Sequence, residues 1–150
     1  MARLRVRRNF RFSDLIDQRG SADVMREAGL RLAVKIENRT MSGLDERGRR
    51  FAPYSPAYRK GVKRGGVVRF ASKSIGPVDL HLTGQMFRDF DVVQVTAKSV
   101  GLGFRGSESG KKADWHESGA GRLPVRKFLG VPDVWVADLV QFISRKLRIG

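Results

Sequence analysis

Two segments with helical periodicity bracket a segment with strand periodicity, and this order constrains the fold more than any other feature of the chain. Between Ser21 and about Met41, apolar residues recur every three or four positions, which predicts an amphipathic helix with a serine N-cap. A second amphipathic helix is predicted to begin at Pro132-Asp133. The apolar stripes comprise Val24, Met25, Ala28, Leu32 and Ile36 in the first helix and Trp135, Leu139, Phe142, Ile143 and Leu147 in the second.

Alternating apolar and polar residues predict strands between these helices and at the N-terminus. The connection Ala97-Lys98-Ser99 is suited to a hairpin, and residues 1–12 form either a basic strand or a loose basic arm. The alternating apolar positions are Leu4, Val6, Phe10 and Phe12 at the N-terminus, Val93 and Val95 before the turn, and Val100, Leu102 and Phe104 after it. The patterns together predict one α+β domain over residues 1–150, in which a small antiparallel sheet packs with two main amphipathic helices.

Shorter features complete this interpretation. Thr83 is expected to cap a short helix through Phe87, and Pro56 is suited to begin another that runs to about Lys63. Polar and glycine-rich composition predicts long exposed loops over 43–78 and 105–114. Within the first long helix, Gly29 and Ala33 would permit the close approach of another backbone.

The charge of the chain limits its partners. Lys and Arg number 30 against 15 Asp and Glu, a formal net charge of +15. Such a charge attracts polyanions, so nucleic acid is the first partner to consider, with an acidic protein neighbour as the alternative. Possible contacts with a DNA channel or an acidic partner are Arg3, Arg5, Arg7, Arg8, Arg49, Arg50, Lys60, Lys63 and Arg64.

Residues able to support catalysis or hold a cofactor are few. The chain contains no cysteine and two histidines, which argues against thiolate zinc sites and cysteine nucleophiles. Asp89 and Asp91 could share a face of a strand, but no third ligand follows at a suggestive spacing. We therefore expect neither an enzyme nor a cofactor. No apolar run is long enough for a membrane span, and no secretory signal is predicted.

Four short motifs occur in a recognisable order. They are Gly-x-x-Phe-x-Pro ending at Pro53, Leu-Thr-Gly-x-Met ending at Met86, His-x-x-Gly ending at Gly119, and Pro-x-Arg-x-Phe-Leu-Gly ending at Gly130. Over residues 20–147 the chain resembles the phage virion morphogenesis family of tailed bacteriophages, whose members complete tails and join heads to tails. Segment 1–12 lies outside the match. Segment 61–78 contains more glycine and lysine than the family pattern.

The resemblance implies a non-enzymatic structural virion protein at the head–tail junction. It also implies a homo-oligomeric ring of about six or twelve subunits around the DNA channel. The implied partners are neighbouring neck, connector or tail-tube proteins and the packaged double-stranded DNA. The motif residues are expected to support the fold rather than to react: Phe51, Pro53, Thr83, Gly84, Met86, His116, Gly119, Pro124, Arg126, Phe128 and Gly130.

Two other functions remain open from the sequence. A free-standing DNA-binding protein of a phage or prophage would explain the charge, and it would bind without sequence preference because no base-reading module is present. A small nuclease would use Asp89 and Asp91 with a divalent metal.

Overall fold

The computed structural model describes residues 7–11, 21–56, 76–80 and 84–149, with the backbone alone described for 7–11 and 149. The fold is α+β, as predicted. Its elements in chain order are β1 (Arg7–Arg11), α1 (Ala22–Met41), α2 (Gln85–Arg88), β2 (Phe90–Val95), β3 (Ser99–Phe104), α3 (Ser107–Ser118) and α4 (Asp133–Ile149).

The sheet has β3 at its centre and antiparallel partners on both sides, in the order β1-β3-β2. The predicted hairpin between β2 and β3 is confirmed, and the Thr96 amide donates to the Ser99 carbonyl at 2.9 Å across its turn. The inward residues of β2 differ from the prediction. Phe90 and Val92 are buried, and an irregularity between Val92 and Gln94 shifts the register. Val95 therefore packs against the core as predicted, whereas the prediction for Val93 is wrong.

Helix α1 lies across the sheet, and α4 packs against α1. The Val24 amide donates to the Ser21 hydroxyl at 3.4 Å, so the expected cap is present. The apolar stripe of α1 faces the core, with Met25, Ala28, Leu32 and Ile36 all at most 1% exposed. Leu139 and Ile143 bury the matching face of α4. These two helices and the sheet therefore enclose one hydrophobic cluster.

Two sequence-based predictions for the short elements are wrong. Residues 107–114, expected in a loop, form the first part of α3. The buried face of α3 consists of Ser109 and Ala113, so the segment carries no apolar stripe for periodicity to detect. Helix α2 has Gly84, rather than Thr83, at its N-cap position, where a φ of 74° favours glycine.

Some expectations fall outside the described residues. These are the short helix from Pro56 to Lys63, Thr83 itself, and the apolar face of residues 1–12. In the described part of the chain, no helix is long and apolar enough to cross a membrane.

The contact between α1 and the sheet predicts opposite effects of two glycine-to-alanine substitutions. A Cβ at Gly29 would lie 2.5 Å from Val100 Cγ2 and 2.8 Å from Val92 Cγ2, whereas at Gly110 in α3 the nearest atom is Phe104 Cβ at 3.9 Å. Gly29→Ala should lower the free energy of unfolding by about 1–3 kcal/mol through overpacking. Gly110→Ala should raise it by up to about 1 kcal/mol through helix propensity. Urea denaturation of both variants measures the difference, and a stabilising Gly29→Ala would contradict the packing.

Candidate functional site

The side chain of Arg126 joins the last of the four motifs to the first. It is 3% exposed, and its Nε and Nη2 donate to the Ala52 carbonyl at 3.2 and 3.1 Å. Nη2 also donates to the Pro53 carbonyl at 3.2 Å, and the guanidinium lies 5.4 Å from the centre of the Tyr54 ring. The planar fork of arginine suits this double contact with successive carbonyls. Arg126 thus fixes the loop that follows Phe51.

The carboxylate of Glu117 joins the third motif to the fourth. Its Oε1 accepts from the amides of Phe128 and Leu129, both at 2.8 Å. The Arg126 amide donates to the His116 carbonyl at 2.7 Å. Gly119 ends α3 with a φ of 70°, and a Cβ there would lie 2.7 Å from Val125 Cγ2. The close approach of the two segments therefore requires glycine at this position.

Arg39 of α1 holds the same segment from the other side. Its Nη2 donates to the carbonyls of Phe128, at 2.5 Å, and Gly130, at 2.8 Å. Its guanidinium lies 4.8 Å from the centre of the Trp135 ring. Burial lowers the pKa of Arg39, and the negative charges of Glu46, Asp45 and Glu117 oppose that shift.

The residue that follows the second motif, Phe87, reaches this assembly through aromatic packing. Gly84 begins α2 in the left-handed conformation, and the following Met86 and Phe87 are buried. The Phe87 ring meets the Phe128 ring edge to face, with centroids 5.9 Å apart. The first, third and fourth motifs therefore meet around the segment from Arg126 to Gly130, which we call the latch segment, and the residue directly after the second motif packs on it.

An open cavity of about 410 Å³ lies beside the latch segment. Its apolar lining comes from Leu80, Met86, Phe87, Leu123 and Pro124. Lys112, His116 and Arg122 add basic or titratable groups to the lining, and no acidic residue of the described chain lines it. The cavity combines an apolar interior with positive charge.

A separate basic groove of about 470 Å³ lies between the first motif loop and the latch segment. Asp45 pairs with Arg49, at 2.9 Å between Oδ2 and Nη2. Partial burial raises the pKa of Asp45, but hydrogen bonds from the amides of Arg49 and Arg47 and from the Arg49 side chain outweigh it, so the pKa is lowered. Of the other basic residues in the lining, Arg126 is buried, whereas Arg47, Arg50 and Lys127 are exposed and enter no ion pair in the described part of the chain.

The residues predicted from the sequence to contact DNA or an acidic partner do not all lie in the basic groove. Arg49 and Arg50 line the basic groove. Arg7 and Arg8 lie in β1, whose side chains are not described, and Arg3, Arg5, Lys60, Lys63 and Arg64 lie outside the described residues. Sequence reasoning missed Arg39 and Lys127. Arg39 could have been found, since it continues the stripe of Leu32 and Ile36 at helical spacing.

The two aspartates considered for a nuclease site face different partners. Asp89 accepts from the Ser109 hydroxyl at 2.5 Å, and Asp91 pairs with Arg105 at 2.5 Å. Across residues 21–56, 76–80 and 84–148, no group of three His, Asp or Glu side chains could hold a metal ion. The described geometry therefore brings no third ligand to either aspartate.

Comparison of the chain with protein-family models, curated proteins and solved structures finds no match.

The contact of Glu117 with the latch segment predicts that two substitutions lower the free energy of unfolding by different amounts. Glu117→Ala removes the acceptor of two backbone amides and should lower the free energy of unfolding by roughly 2–4 kcal/mol. Glu117→Gln keeps an acceptor oxygen and should lower it by less than half as much. Chemical denaturation measures both variants, and equal reductions would show that the two amide contacts contribute little.

Proposed function

We propose that this chain is a structural protein of the tailed-phage virion that acts at the head–tail junction, in the neck or in tail completion or termination. In this role it is a subunit of a homo-oligomeric ring around the DNA channel and is not an enzyme. The observation that carries the proposal is the meeting of three of the motifs at the latch segment, on which Phe87, the residue directly after the remaining motif, also packs. Motifs matched by chance would have no reason to contact one another, whereas the motifs of a family are expected to build a shared structural unit.

The bonds within that unit also support a structural role for the motif residues. Arg126 and Glu117 direct their charges at backbone groups, and Phe128 is fully buried. Gly84 and Gly119 occupy left-handed turns. Such residues hold a fold together rather than transform a substrate.

The basic groove supports a position near DNA. Arg47, Arg50 and Lys127 present exposed cations, and the chain carries a net charge of +15. Phosphate contacts of this kind neutralise DNA without reading its sequence. A ring through which a genome passes needs this property, because base-specific grip would oppose movement of the DNA.

Contact with neighbouring proteins has a candidate surface as well. Leu30, Val34 and Met41 project from α1 and are 44–54% exposed. An open groove of about 440 Å³ between α1 and α4 adjoins this surface, and Leu30, Val34 and Phe142 are among the residues that line it. Exposed apolar surface of this kind is typical of sites that another protein covers, such as a neighbouring ring subunit, a connector or a tail-tube protein.

The DNA-facing part of the proposal predicts a specific salt dependence. Binding to duplex DNA should be independent of sequence and should weaken steeply with salt. The triple variant Arg47→Gln, Arg50→Gln, Lys127→Gln should bind more weakly. For this variant, the slope of the logarithm of the DNA association constant against the logarithm of salt concentration should be shallower by about 0.9 for each phosphate that is no longer neutralised. Fluorescence anisotropy with a labelled duplex at several salt concentrations measures both quantities.

The matched control is Arg26→Gln, Arg88→Gln, Arg145→Gln, which removes the same charge from exposed positions on α1, α2 and α4. Equal weakening in both triple variants would assign binding to net charge and remove the groove from the proposal. Mass spectrometry of purified virions separates the proposal from the alternative of a free-standing DNA-binding protein. The virion protein is present in joined particles, and the free-standing protein is absent from them.

A further inference from the structure

The cavity beside the latch segment has the dimensions of a binding site. Its volume of about 410 Å³ falls within the usual range of ligand pockets, about 300–1,000 Å³. Leu80, Met86 and Phe87 give it an apolar interior, and Leu123 and Pro124 form another part of its lining. Leu123 is 41% exposed, so an apolar surface extends from the cavity to the solvent.

The charges of the lining all have one sign. Lys112 and Arg122 are exposed, and neither enters an ion pair in the described part of the chain. Arg126 lies deeper and is held by the carbonyls of Ala52 and Pro53. Since no described acidic residue lines the cavity, Lys112 and Arg122 are available to carboxylates from outside.

One wall carries backbone strain. Leu80 has a φ of 54°, in the left-handed region that branched and bulky residues rarely adopt, and it is nevertheless buried. Strained residues cluster where a fold holds a surface in a required shape. The strain at Leu80 is thus a second feature of the same cavity.

We propose that this cavity is a docking site for an acidic peptide segment of a partner protein. A large apolar side chain of the segment enters between Met86 and Leu123, and carboxylates on either side of it pair with Lys112 and Arg122. The apolar contact supplies affinity, and the two charge pairs select acidic sequences. The basic groove shares Arg126 with this cavity, but its lining also includes the carboxylates of Asp45 and Glu46, whereas the described lining of the cavity has none.

The chemistry of the cavity favours this occupant over duplex DNA. A phosphate backbone has no large apolar group to fill the interior, so duplex DNA would leave that surface unused. An acidic peptide satisfies both the apolar interior and the rim.

The test is selection of peptides by the purified full chain from a displayed library of random peptides, followed by affinity measurement on the enriched sequences. We expect enriched peptides to carry Leu, Phe or Trp flanked by Asp or Glu. The variant Lys112→Glu, Arg122→Glu should bind them roughly tenfold more weakly or worse, because it removes two charge-assisted hydrogen bonds. Leu123→Ser should weaken binding as well, because it removes the apolar surface at the cavity entrance.

The control variant is Arg26→Glu, Arg145→Glu, which makes the same change in net charge at exposed positions away from the cavity. It should leave affinity within about twofold of the original. No enrichment, enrichment of sequences without acidic residues, or equal weakening in the two double variants would overturn the proposal. The measurement needs no virion, so its outcome is independent of the role at the head–tail junction.

Discussion

The latch segment from Arg126 to Gly130 is the part of the structure on which the surrounding elements depend. Glu117 of α3 holds two of its amides, Arg39 of α1 holds two of its carbonyls, and its own Arg126 holds the loop after Phe51. Phe128, at the centre, is completely buried. A segment without regular secondary structure thereby connects two helices and a loop that are far apart in the chain.

Charged side chains make these connections because the latch segment has backbone groups that no helix or strand satisfies. A buried amide or carbonyl without a partner costs about 1–3 kcal/mol, and a charged partner forms the stronger hydrogen bond. Burial of the guanidiniums is itself costly, which the lowered pKa of Arg39 reflects. Carbonyl acceptors and the nearby Glu46 and Glu117 offset that cost. A lysine at position 126 would lack the planar guanidinium with which arginine contacts both carbonyls.

An element of this structure could be predicted from the sequence where its own residues carry a periodic apolar pattern, and not otherwise. Helices α1 and α4 and the β2–β3 hairpin carry their own periodicity, so their existence could be predicted. Helix α3 could not, because its buried face is built from Ser109 and Ala113 rather than from large apolar residues. The contacts of Glu117 and Arg39 with the latch segment depend on tertiary structure, as does the cavity beside that segment, so neither could be read from the sequence.

The meeting of three motifs at the latch segment, together with the exposed basic groove, is the basis for proposing a role at the head–tail junction. The most direct test of that role is electron microscopy of lysates from a phage that lacks this gene. The proposal predicts DNA-filled heads beside complete but unattached tails, with joined particles restored when the gene is supplied in trans. Normal, joined particles in the absence of the gene would contradict it.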